Sequence, residues 1–188
     1  LRTIAGSMNK IANDLRLLAS GPRNGLGEVE QPENQPGSSI MPGKINPVVA
    51  EAVNQVHKQV VGNDAAVAAG AAEGQIDLNL YKPVIAHNVL QSTELLSNAA
   101  ETFGERFVAK LEANEAVCEE QVERSMALAT ALNPTIGYDK ASEVAKTALK
   151  EGKTIREVVV EKEYLSPEEA DEVLDPESMT HLGILGGE

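Results

Sequence analysis

Val49, Val53, Val56 and Val60 recur at helical spacing just beyond Pro47, and the alanine-rich stretch from Ala65 to Ala72 continues or follows them. A helix with one branched aliphatic stripe must bury it, and a run of alanines lets a neighbouring helix come close. Aromatic residues are only 3% of the chain and Trp is absent, so the core has to be built from Ala, Val, Leu and Ile. Such a core suits helix-on-helix packing better than a sandwich or barrel. With 188 residues, 42% of them hydrophobic, there is material for one domain with a real core or for pieces of two.

Other segments repeat the pattern. Ile4, Met8, Ile11, Leu15 and Leu18 predict an amphipathic helix, ended by Ser20-Gly21-Pro22. From Arg23 to Pro47 no period persists and Gly and Pro are frequent, which predicts a long loop of a kind uncommon in compact domains unless functional. A helical stretch follows from about Leu78 to Leu111, started or kinked by Pro83, and another from Glu115 to Leu132, ended by Asn133-Pro134. Asp139 to Lys150 reads as a helix stopped by Gly152. Thr154 with Glu157, and Ser166 with Glu169, have capping-box spacing, and Pro167 suits a first helical position. Two small helices and a Gly-rich tail complete the reading.

The expected architecture is all-α: residues 1–133 as part of a long-helix bundle, and residues 134–188 as a small helical C-terminal domain. The first residue is Leu1 and the opening reads as the middle of a helix, so a piece of a longer polypeptide is expected.

The formal net charge is -13 and argues against nucleic acid as a partner, since phosphate binding needs a basic surface. The acidic residues are dispersed along the chain, as in a protein kept soluble where high salt screens self-repulsion; a merely acidic surface is the alternative. Cys118 is the single cysteine, which excludes an internal disulfide and a Cys-based metal cluster and fits a reducing cytoplasm. No apolar run approaches the roughly 20 residues of a membrane span, and no secretory signal opens the chain.

Chemistry concentrates in Gly37-Ser38-Ser39-Ile40-Met41-Pro42-Gly43-Lys44-Ile45-Asn46-Pro47. Two hydroxyls, an ammonium and a carboxamide on a Gly- and Pro-shaped backbone make a plausible anion-handling loop. It is not a phosphate loop, because the glycine spacing is one residue too long and Ile45 stands where a magnesium-binding Ser or Thr belongs. Ser38 lacks the context of a nucleophile elbow. His57, His87 and His181 lie far apart without ligand spacing, and the first two suit a helix surface or core. Removing a proton beside a carboxylate builds a doubly charged aci-carboxylate, which demands fixed cations and donors. Lys44 and Asn46 could supply a charge and a directional amide. By spacing alone, a well-ordered structural turn with a surface lysine is the better-supported reading, because short motifs are weak evidence.

The same eleven residues resemble the G-S-S-x-M-P-x-K-x-N-P segment of the fumarase/aspartase superfamily, whose members eliminate a group from a succinyl-type substrate and release fumarate. The resemblance extends from Ser20-Gly21-Pro22-Arg23 through Pro32-Glu33-Asn34 to Leu132-Asn133-Pro134 and Ile136-Gly137-Tyr138-Asp139-Lys140-Ala141. It implies that Ser38 is the catalytic base, that Ser39 contacts substrate, and that Lys44 and Asn46 bind the carboxylate whose charge grows in the transition state. Glu51 matches a family carboxylate that orients an active-site histidine absent from this chain; on its own, it would be an ordinary acid favourable to a helix dipole. The resemblance further implies a homotetramer with active sites shared between subunits, a small dicarboxylate substrate, and no metal or organic cofactor.

Within the superfamily, Pro42-Gly43-Lys44, Gly25-Leu26-Gly27-Glu28, Pro32-Glu33-Asn34-Gln35-Pro36 and Tyr138-Asp139-Lys140 look like class II fumarases, which hydrate fumarate to L-malate in the citric acid cycle. Pro47-Val48-Val49-Ala50-Glu51 and Ala72-Glu73-Gly74-Gln75 resemble aspartase, leaving aspartate ammonia-lyase as an alternative. A non-catalytic helical oligomerisation module is the alternative from another class.

Overall fold

In a computed structural model of the protein, residues 1–181 are described apart from 22, 36, 38, 39 and 42. The described residues contain eight α-helices and one two-stranded ladder. They divide into two compact units, Leu1–Asn114 and the chain from Glu115 on.

The first unit is built on α1 (Arg2–Leu18), α2 (Val48–Ala72) and α3 (Lys82–Arg106), with α2 packed on both others. At 1.5 Å per residue, the 25-residue α2 and α3 are each about 37 Å long. The expected alanine-rich continuation of the valine stripe is therefore one unbroken helix. Small residues allow close packing: Ala5, Ala12 and Ala50 are fully buried, beside Val53 and Val60. Phe103 and Phe107 stack with ring centroids 5.5 Å apart and close the lower end of this core. Ile4 and Ile11, expected on the buried stripe of α1, instead face outward, 57% and 50% exposed, because alanines occupy the contact with α2.

A buried polar group fixes how α2 meets α3. Asn63 and Ser92 are each only 3% exposed. The Asn63 amide donates to Ser92 Oγ (3.0 Å) and Gln91 Oε1 (2.9 Å), and its oxygen accepts from Gln59 Nε2 (2.8 Å). Every polar atom of that side chain is satisfied, so burying it carries no orphan penalty. Asn79 joins the two helix ends: its amide donates to the Gly70 carbonyl and its oxygen accepts from Tyr81 N–H. Pro83 sits in the first turn of α3 and starts the helix without kinking it.

The described residues between α1 and α2 are irregular as expected, except for β1 (Val29–Glu30). It pairs antiparallel with β2 (Glu112–Ala113), Val29 opposite Ala113, and Asn114 N–H donates to the Glu28 carbonyl alongside. Two-residue strands carry no periodicity, so nothing in the sequence announces this ladder.

The second unit begins with α4 (Glu115–Glu123) and holds the short α5 (Asn133–Ile136), then α6 (Tyr138–Glu151), α7 (Ile155–Glu161) and α8 (Pro167–Val173). The helix expected from Glu115 to Leu132 breaks at Ser125. That residue is extended, and its hydroxyl accepts from Ala127 N–H to cap a new 3-10 stretch, Met126–Leu132. That stretch ends at Leu132 with Asn133 as its C-cap, and Asn133-Pro134 also opens α5, since proline is welcome in a first turn. The division between units falls ahead of Glu115 and not at the expected boundary of 133 and 134. The physical reason is burial: Leu128, Ala131 and Leu132 are in the same core as Ala141, Val144, Ile155 and Val158.

Both capping boxes form. Thr154 and Glu157 close one, and Ser166 and Glu169 the other, with Pro167 at the start of α8. Gly152 ends α6 in the left-handed region at φ 68°. Arg156 ties α7 to two other helices through Glu123 (Nε to Oε1, 2.9 Å) and Asp171. The Gly-rich tail lies outside the described residues. No helix among the described residues is long and apolar enough to cross a membrane.

Candidate active site

The glycine- and proline-rich segment ends at the first turn of α2, and main-chain packing shapes it. Gly37 lies so near Lys44 that a Cβ built on it would overlap the Lys44 carbonyl. Only glycine allows that approach. Gly43 has φ 78°, a left-handed turn beside open space, and Lys44 N–H donates back to the Met41 carbonyl at 3.3 Å. Asn46 C=O accepts from Val48 N–H (2.9 Å), and Pro47 C=O from Glu51 N–H (2.9 Å), so the loop passes directly into helix. At these described positions the loop is shaped by glycine and by main-chain hydrogen bonds.

On this frame Lys44 is exposed and Asn46 half-buried. The Lys44 ammonium is therefore open to an anionic ligand, and the Asn46 carboxamide stands two residues further on. Ser38 and Ser39 lie outside the described residues. Glu51 occupies the first turn of α2, where its charge favours the helix dipole. Its carboxylate is also paired: Arg16 Nη2 of α1 approaches Glu51 Oε1 at 3.5 Å.

By residue type and spacing alone, Arg16 does not stand out on α1. Its Nη1 donates to Asn54 Oδ1 at 2.9 Å, and Asn54 Nδ2 donates to Asn9 Oδ1 at 3.0 Å. The available signal was Asn54 itself, a carboxamide beside the valine stripe and three residues after Glu51, hence on the same side of the helix. A buried amide there needs partners from another element. His57, expected on a helix surface or in the core, is partly buried on α2, with Nδ1 enclosed and without a hydrogen-bond partner among the described residues.

Sequence profiles match at both ends of the chain. One described as Lyase covers residues 1–62, which include α1, the loop and Glu51; one described as Fumarase C C-terminus covers residues 128–181. A curated relative from Halobacterium salinarum, named fumarate hydratase class II, is 85% identical over 92% of this chain and 37% of its own length. One of the same name from Chromobacterium violaceum is 53% identical over 95% of this chain and 39% of its own. The chain thus spans well under half the length of these relatives.

Solved structures agree. A fumarate lyase:delta crystallin from Brucella melitensis, bound to cobalt, superposes with TM-score 0.90 at 50% identity, covering 96% of this chain and 39% of that one. A class II fumarase from Schistosoma mansoni gives TM-score 0.87 at 40% identity, covering 95% and 37%.

Proposed function

Since the chain belongs to the class II fumarases of the fumarase/aspartase superfamily, we propose that it supplies one wall of a fumarate hydratase active site. The reaction is reversible hydration of fumarate to L-malate, run without metal or organic cofactor. The observation that carries this reading is the loop from Gly37 to Pro47: the superfamily segment is present residue for residue, and the described part is built as a main-chain turn delivering Lys44 and Asn46 beside α2.

In the elimination direction Ser38 takes the proton from malate C3. Serine is a poor base at its ordinary pKa and serves only where nearby amides and a cation stabilise the alkoxide. Electrons left on C3 flow into the adjacent carboxylate, giving the aci-carboxylate. Lys44 and Asn46 hold that group where its charge grows, stabilising the transition state more than the substrate. Ser39 contacts substrate. The C2 hydroxyl then departs as water after accepting a proton, leaving fumarate. Glu51 orients a histidine contributed from outside this chain.

The assembled protein is a homotetramer whose sites are shared between subunits. Uncovered apolar side chains support this: Ile4 and Ile11, one above the other on α1, and Leu90 on α3, which is 69% exposed. The dispersed charge of -13 and the 85% identical relative from Halobacterium salinarum support a salt-rich cytoplasm as its setting.

The test is absorbance of fumarate formed by the full-length enzyme in molar KCl, with L-malate or L-aspartate as substrate. Signal from malate alone supports fumarase. Signal from aspartate alone keeps the mechanism but replaces water by ammonia as the leaving group. No signal from either leaves a non-catalytic assembly role.

A further inference from the structure

Glu51 is held by more than a surface ion pair. Exposed pairs alone do little, because both side chains must be ordered against solvent. Here the guanidinium is anchored independently: Arg16 Nη1 donates to Asn54 Oδ1 at 2.9 Å, and Asn54 is buried. Arginine can only donate, so Asn54 must turn its oxygen to Arg16 and its NH2 to Asn9, where Nδ2 meets Oδ1 at 3.0 Å. The same Asn9 oxygen accepts from Lys58 Nζ at 2.8 Å. Residues 9 and 16 on α1, and 51, 54 and 58 on α2, follow helical spacing, so two polar stripes face each other across the helix pair. Arg16 Nε is itself enclosed, while the rest of the side chain stays about a third exposed.

We propose that Arg16 is a positioning residue for Glu51, set in place by Asn54 and Asn9, so that α1 determines how the carboxylate is presented to the histidine it orients. This rests on the reading of Glu51 given above. Arg16 holds Oε1 and leaves Oε2 to accept from the imidazole. The orientation is thus arranged before substrate arrives, and its cost does not fall on the chemical step.

The experiment is a mutant cycle in the full-length, assembled enzyme, following malate turnover, KM and thermal unfolding. Arg16→Gln is expected to lower kcat about 10–100-fold, as loss of an outer supporting partner commonly does, with KM changed by less than about threefold. Arg16→Lys keeps the charge but not the two-pronged reach, and should fall between. In a Glu51→Gln background neither change should lower kcat further, because a residue that acts through Glu51 has nothing left to position. Unchanged kcat in Arg16→Gln, or losses that multiply in the double variant, overturn the proposal while leaving Glu51 its role. Full turnover in Glu51→Gln alone removes the role of Glu51 and the proposal with it. If Arg16→Gln does not assemble, the cycle with Arg16→Lys decides by the same criterion.

Discussion

Gly37 and Lys44 meet through main chain, with no room for a Cβ between them. Gly37→Ala must therefore push the two backbones apart and displace the residues that Lys44 and Asn46 present. Small misplacements of that kind cost about 10²-fold in turnover. No described residue between 37 and 47 belongs to an apolar cluster, so the melting temperature should move little compared with turnover. Steady-state kinetics and thermal unfolding of the full-length variant check both halves; wild-type kcat would show that the close approach is not needed.

Lys44→Ala should be more severe. The ammonium is exposed and supports no core, so its loss acts on the chemistry alone. Removing one preorganised stabiliser of a growing negative charge costs about 10²–10³ in kcat. The variant should fold and assemble normally by circular dichroism and light scattering. Retained turnover would sink the role given to this loop.

Ile11→Asp places a charge on the uncovered side of α1, where the native side chain is half exposed. If that side is covered by another copy, the variant should sediment as smaller species while its helix content persists. Lowering KCl from molar to dilute buffer should act on the wild type in the same direction, because unscreened repulsion among the excess acids opposes association. A tetramer indifferent to both changes would contradict the assembly proposed.

Glu143 offers a pH test in the second unit. Its carboxylate accepts from Lys162 Nζ at 2.7 Å and from Tyr164 OH at 2.9 Å, and these bonds, Lys162 first, hold it below the ordinary carboxylate range. A pKa depressed on folding stabilises the native state above the unfolded value, about 4.3, and that contribution disappears as pH falls through the folded one. Glu143→Gln should thus lower thermal stability slightly near neutrality, with the deficit shrinking as pH falls below the ordinary carboxylate range. A deficit independent of pH would mean that packing, not charge, is what the substitution removes.

Local chemistry was legible wherever it acts over a few residues. Thr154 with Glu157, Ser166 with Glu169, and Gly152 each form the cap their spacing announces. What the sequence hid is long-range. Nothing near Ser125 says that its hydroxyl will cap a new turn and break a helix whose apolar residues read continuously. Ile4 and Ile11 obey helical spacing yet give up the intramolecular contact to alanines, because periodicity identifies a stripe without saying which neighbour covers it. The site divides the same way. Lys44 and Asn46 stand out from their loop, whereas Arg16 acquires meaning only once α1 lies against α2, far along the chain.

The ladder of Val29–Glu30 on Glu112–Ala113 has a consequence for the chain's entropy. A long connection joins α1 to α2, and the ladder fastens it at Val29–Glu30 to the segment after α3. One wide loop becomes two narrower ones, each with fewer paths between its fixed ends. Closure entropy grows only slowly with length, so the gain in stability is modest, but the reach of each half shortens directly. The half that leads into α2 is tethered at Glu30 and again at Val48, like a bridge deck hung from two piers.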